Sequence, residues 1–172
     1  MEQGQFCFIA DEFYDIYDKE HRLMQNKETV DGVDHGRPCF FAFHDNKTPG
    51  IFWCVPISSK ISKYSGIFIG KIEKQRAKGI QNPKCSTICF GDVMGIPRVF
   101  LIQNMFPVIF KYISSVYMDR NTKTPVTVEP ETERLVINNA RDVLRLVHRG
   151  YQNLVFSDII KAYNDLKAEL EQ

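Results

Sequence analysis

The chain has 172 residues, 44% hydrophobic and 25% charged, with a formal net charge of +1. That length suits one domain with a buried core, and the composition excludes a disordered chain. The near-neutral total excludes a general polycation, and no apolar run approaches the roughly 20 residues of a membrane helix.

Charge is unevenly spread along the chain. Residues 1–34 carry Glu2, Asp11, Glu12, Asp15, Asp18, Glu20, Glu28, Asp31 and Asp34 against Lys19, Arg22 and Lys27, a net of −6. Residues 60–84 carry Lys60, Lys63, Lys71, Lys74, Arg76, Lys78 and Lys84 against Glu73, a net of +6. That asymmetry permits a basic face built for one polyanion. The start, Met1–Gln5, lacks the basic and apolar regions of a signal peptide, so a single cytoplasmic domain over residues 1–172 is expected. Five cysteines, an odd count, argue against a disulfide framework. Cys7, Cys39 and Cys54 sit in apolar runs as small hydrophobes, and the spacing of Cys85 and Cys89 does not fit a zinc site. No metal or other cofactor is expected.

In chain order, Gln5–Ala10 predicts a first strand, and Asp11 a helix cap, with Phe13, Ile16 and Tyr17 at helical spacing to about Glu20. Residues 21–37 lack periodicity and predict a long loop. Cys39–Phe43 and Ile51–Val55 predict two strands of a hairpin across the turn formers Asp45–Gly50, with Pro56 ending the second. Antiparallel pairing then brings Arg37 near the level of Ser58 and Ser59. Gly66–Ile72 predicts a strand and 71–84 an exposed basic loop with Gly79 and Pro83. Ser86–Phe90 and Arg98–Ile102 predict strands, Gln103–Pro107 a turn, and Val108–Val116 a strand with a bend. Asp119–Pro125 reads as a loop and Val126–Val128 as a short extended piece.

Pro130 with Glu131 and Glu133 opens a helix whose stripe is Val136, Ala140, Val143 and Val147, closed by Gly150. Ser157 or Asp158 opens another, with Ile159, Tyr163, Leu166 and Leu170 on one side. The fold class is α+β: a mainly antiparallel curved sheet or small barrel, an N-terminal helix and a C-terminal helical pair.

Nucleotide-binding glycine loops and the Gly-x-Ser-x-Gly elbow are absent, and none of His21, His35, His44 and His148 sits in a metal-binding pair. His35 stands out only through its place beside Arg37. What remains is the run Trp53–Tyr64, a strand ending in Ser58, Ser59 and Ser62 interleaved with Lys60 and Lys63. Read plainly, it is a polar turn leaving a core strand. Read chemically, it is a donor-rich anion site. Metal-free RNA cleavage needs little more, because the ribose 2′-OH is the nucleophile. The protein must align that hydroxyl, neutralise the pentavalent phosphate and help the 5′-oxygen leave. A lysine among neighbouring cations can also move a proton.

Two motifs, Pro56-Ile-Ser-Ser-Lys60 and Gly95-Ile-Pro through Leu101-Ile-Gln-Asn-Met to Val108, stand between an N-terminal strand–helix pair with Arg37-Pro38 and a helical C-terminus. In this order the chain resembles the endoribonuclease toxins of type III toxin–antitoxin systems, the ToxN/AbiQ family, and within it the CptN branch. The resemblance implies a Kid/MazF-like barrel with added helices, a role in phage defence, and metal-independent cleavage of mRNA to 2′,3′-cyclic phosphate and 5′-hydroxyl ends. It also implies inhibition by a repeated pseudoknotted antitoxin RNA in a closed protein–RNA assembly, with no membrane and no protein partner required. By position, Ser59 matches the family's loop serine and Ser58 its hydroxyl neighbour. The family's lysine position is occupied by Ile61, leaving Lys60 and Lys63 as rivals. Arg37 falls at the basic position before the second strand. Phe13 aligns with a first-helix tyrosine, with Tyr14 next to it. Lys71, Lys74, Arg76, Lys78, Lys84 and Tyr14 are the expected RNA contacts. The competing readings are a non-catalytic RNA-binding module using the same groove, and a structural adaptor in which the basic segment is merely solvated surface.

Overall fold

The computed structural model describes residues 1–18, 22–24, 27–30 and 33–172. It is α+β, with an antiparallel seven-stranded sheet that does not close into a barrel. Its strands run β6–β7–β5–β4–β1–β9, with β8 also paired to β5. They are β1 (Phe6–Ile9), β4 (Cys39–His44), β5 (Ile51–Ser58), β6 (Cys89–Val93), β7 (Ile96–Phe100), β8 (Phe106–Ile109) and β9 (Ile113–Val116). Among the described residues four α-helices accompany them: α1 (Asp11–Tyr17), α2 (Ile61–Ala77), α3 (Pro130–His148) and α4 (Ile159–Leu170).

Strand β5 is the spine. It pairs along one side with β4, Cys39 opposite Pro56 and Phe40 opposite Val55. On its other side it meets β8 over Ile51–Cys54 and β7 over Ile57–Ser58. The strand ends near Pro56, running two residues past it to Ser58. Pro56 falls where β5 changes neighbours, so its missing N–H leaves little of the ladder unmade, and its carbonyl still accepts from Leu101 N–H at 2.9 Å. At the other end of the β4–β5 hairpin, Asp45 accepts from the Lys47 and Thr48 N–H groups, and Gly50 turns the chain at φ +96°.

Several sequence expectations are corrected. The 21–37 loop contains a two-stranded hairpin, β2 (Lys27–Val30) with β3 (Val33–Gly36), while His21 and the expected helix end at Glu20 lie outside the described residues. Gly66–Ile72 is helix rather than strand, and the first half of the expected basic loop 71–84 is the C-terminal part of α2, which ends at Ala77. Its glycines and β-branched isoleucines favour neither state strongly. Packing decides: Ile61, Tyr64 and Phe68 recur at helical spacing and cover Ile88, Val99 and Leu101. The helix stops at Gly79, φ +78°, where Gly79 N–H reaches Arg76 O and Ile80 N–H reaches Gln75 O. The β6–β7 strands lie shifted from the expected segments, joined through Met94 and Gly95, φ +54° and +73°, a tight two-residue turn. The bend expected within 108–116 is a 3-10 turn over Phe110–Tyr112, which sends β9 to pair with β1 instead of β5.

The C-terminal helices lie where the sequence predicts, except that Leu170, the last residue of the second stripe, is exposed. Pro130 begins α3, and Val136, Ala140, Val143 and Val147 are all buried against Phe40, Ala42, Trp53 and Val55. Gly150, φ +99°, donates to Val147 O, and Tyr151 N–H to Leu146 O. Asp158 caps α4 by accepting from Lys161 N–H at 2.9 Å. Alternation along β1 and β4 sends Phe6 and Phe40 into this larger core, and Cys7 and Cys39 into a second one with Phe13 of α1 and Leu166 of α4. Glu169 ties α4 to that second core, accepting from Tyr17 and Tyr112 hydroxyls and from Lys111 Nζ. All five cysteines are free, Cys85 alone partly exposed.

Candidate nucleic-acid interface

The junction between β5 and α2 places the expected loop. Ser58, only 5% exposed, is the last residue of β5, and its Oγ accepts from Lys60 N–H at 3.2 Å. The core strand thus ends on a hydroxyl that shapes the turn. Ser59 follows, exposed, its carbonyl accepting from Ile61 N–H at 2.9 Å as the helix begins. Lys60 is the N-cap residue, and Ser62 and Lys63 stand exposed in the first turn. That turn contains no acidic residue. The positive end of the helix and the nearby ammonium groups therefore reinforce each other.

The Cys39–Pro56 pairing continues to bring Arg37 level with Ser58, so the hairpin's open end joins the same region. The Arg37 charge is felt by two phenols from different helices. Burial raises the pKa of Tyr14 in α1 and of Tyr64 in α2, and the Arg37 charge opposes the rise in both. Burial likewise pushes up the Cys39 thiol, which Arg37 and a hydrogen bond from Tyr14 oppose. Tyr14 thus faces inward, packing on Phe13 and Phe106, rather than offering a ring to solution. Tyr64, missed by sequence reasoning, is the aromatic that joins α2 to this region. Its spacing from Ile61 and Phe68 was the available signal.

The basic segment does not form one surface. Lys71 is half-buried, its Nζ donating to Thr87 Oγ1 at 2.7 Å and Gln103 Oε1 at 2.8 Å. Burial lowers its pKa. It ties α2 to the segments around Thr87 and the 3-10 turn over Ile102–Asn104, instead of standing in an exposed loop. Lys74, Arg76, Lys78 and Lys84 are exposed. At 100° per residue Lys74 and Lys78 share one side of α2 with Lys63, while Arg76 projects from the opposite side. Lys84 is held beside the helix end by paired bonds between the Gln75 amide and its backbone, 2.7 and 3.0 Å. His35 is exposed in β3.

Among the described residues no three His, Cys, Asp or Glu side chains gather in a metal-binding arrangement. Nor is any helix among them long and apolar enough to cross a membrane. The junction can hold an anion near Ser59 by hydroxyl, ammonium and backbone N–H donors, with Arg37 beside it. Comparison with protein-family models gives no match, and comparison with curated proteins gives none.

Proposed function

We propose that the chain is a sequence-preferring endoribonuclease toxin of the ToxN/AbiQ type, closest to its CptN branch, acting on mRNA without a metal. A Kid/MazF-like strand arrangement is part of the same proposal. The observation that carries it is the convergence at the end of β5: Ser58, Ser59 and Lys60 lead into an acid-free helix start at the level of Arg37. In this reading the ribose 2′-OH loses its proton and attacks phosphorus, the P–O5′ bond breaks, and a proton returns to the 5′-oxygen. Ser59 Oγ donates to a non-bridging oxygen, while Lys60 or Lys63, with Arg37, offsets the charge that develops. The products are a 2′,3′-cyclic phosphate and a 5′-hydroxyl. A processed, pseudoknotted antitoxin RNA in a closed assembly would inhibit by occupying the same cleft, drawing on Lys74, Lys78 and Lys84.

The test is cleavage of RNA in EDTA by the wild type and Ser59→Ala. The exposed Ser59 side chain contributes nothing to the core, so the variant folds normally. Its rate should fall about 100- to 1,000-fold with RNA affinity nearly unchanged. Wild-type cleavage by Ser59→Ala would remove the site from the reaction. RNA binding without any cleavage would leave a binding module in place of a nuclease.

A further inference from the structure

At the turn end of the β4–β5 hairpin lies a second basic cluster, unconnected with the Ser/Lys junction. A pocket of about 500 Å³ opens there between Lys47 of the turn and Arg141, Arg145 and His148 of α3 with its C-cap residue Arg149. The spacing of those last four residues, at i, i+4, i+7 and i+8, keeps them on one side of the helix. The Arg141 guanidinium sits 5.1 Å over the Phe43 ring, which holds it in place.

We propose that this pocket is a second phosphodiester-binding site, taking a single-stranded stretch of the RNA that also reaches the β5–α2 junction. The inference rests on the reading that RNA is the ligand. Cations at a helix C-terminus are common because they offset the carbonyl end, but that end carries only about half a negative charge. It does not account for four permanent cations, one of them from another element. Two carboxylates, Asp45 and Asp142, offset part of that charge, and four cations against two anions still leave a net of +2. Asp45 is turned inward, accepting from Trp53 Nε1 at 3.0 Å, the Thr48 and Lys47 N–H groups and the Tyr163 hydroxyl. Asp142 pairs with Arg145 at 2.9 Å, yet both are more than half exposed, so the pair is weak and leaves Arg145 open to a competing anion. Phe43 is 4% exposed, which makes it a floor beneath Arg141 and not a stacking platform. Recognition is therefore of the backbone and independent of sequence. Because β5 spans 8 residues, the two sites lie about 25 Å apart. Only an extended ligand reaches both.

The test compares Lys47→Gln/Arg145→Gln/Arg149→Gln with wild type on RNAs of about 20 and about 4 nucleotides. All three side chains are exposed, and Lys47→Gln alone serves as a second variant that leaves α3 untouched. On the longer RNA the log–log salt slope should become shallower by about 2, or about 0.7 in the single variant. Affinity should fall about 10- to 100-fold. Cleavage of the shorter RNA should not change. An unchanged slope on the longer RNA in both variants overturns the second site while leaving the nuclease reading intact. A reduced slope in a protein that cleaves nothing supports the site and overturns only the nuclease. A wild type that binds no RNA overturns both.

Discussion

Lys71→Met isolates the role that the fold gives this lysine. Methionine keeps the unbranched stem that packs along α2 but removes the ammonium that reaches Thr87 Oγ1 and Gln103 Oε1. Thr87 is 6% and Gln103 3% exposed, so water cannot readily replace the lost donor. Gln103 Oε1 then loses its donor and Thr87 Oγ1 keeps, among the described residues, only the Cys85 thiol at 3.6 Å, each loss costing about 1–3 kcal/mol. Relief of the half-buried ammonium, whose burial already lowers its pKa, returns part of that. The net loss should be about 2–4 kcal/mol. With a urea m-value of roughly 2 kcal/mol/M, the unfolding midpoint should drop by about 1–2 M. Adding Gln103→Leu removes one orphaned acceptor and should cost less than the sum of the two single changes. RNA affinity and its salt slope should not move. A midpoint within about 0.3 M of wild type, or a salt slope lower by about 0.7, would refute the reasoning and return Lys71 to the RNA surface.

Three further outcomes are expected. Because Lys74 and Lys78 share one side of α2 and Arg76 faces the other, Lys74→Gln/Arg76→Gln/Lys78→Gln should lower the antitoxin-RNA salt slope by about 1.4, and Arg76→Gln alone by nothing; titrations at several salt concentrations decide it. A Cβ at Gly91 would stand 2.4 Å from Thr132 Cγ2 in the first turn of α3. Gly91→Ala should therefore destabilise by about 1–3 kcal/mol, and Thr132→Ala should recover most of the loss in the urea midpoint. Burial opposes ionisation of Glu169, but its bonds from Lys111, Tyr17 and Tyr112 outweigh that and hold its pKa below the ordinary 4.5. As pH falls below 4.5 the unfolded carboxyl takes up its proton first. The stability that Glu169 contributes is complete above that pH and lost below it. Midpoints measured from pH 6 down to about 3 should fall more steeply for wild type than for Glu169→Gln.

The sequence by itself determined the hairpin, most of the C-terminal helices and which residues stand at the hairpin's open end. Asp45–Gly50 can hardly do anything but turn, and the stripe Val136, Ala140, Val143, Val147 has one buried side at helical spacing only. Antiparallel pairing alone implied that Arg37 lies near the end of β5, while the bulge between Phe41 and Phe43, which sets the register at that end, was not legible in the sequence. Only the tertiary structure decided α2. Gly66, Ile67, Ile69, Gly70 and Ile72 are weak helix formers, and the outer surface of β7 made a helix the better cover. That one change moved Lys71 from a surface to a half-buried hydrogen-bonded position and split Arg76 from Lys74 and Lys78. Local propensity could not show this, because the partners, Thr87 and Gln103, lie 16 and 32 residues further on. The same holds for the second basic pocket. Lys47 and Arg149 are unrelated in sequence and become neighbours only when α3 packs on β4.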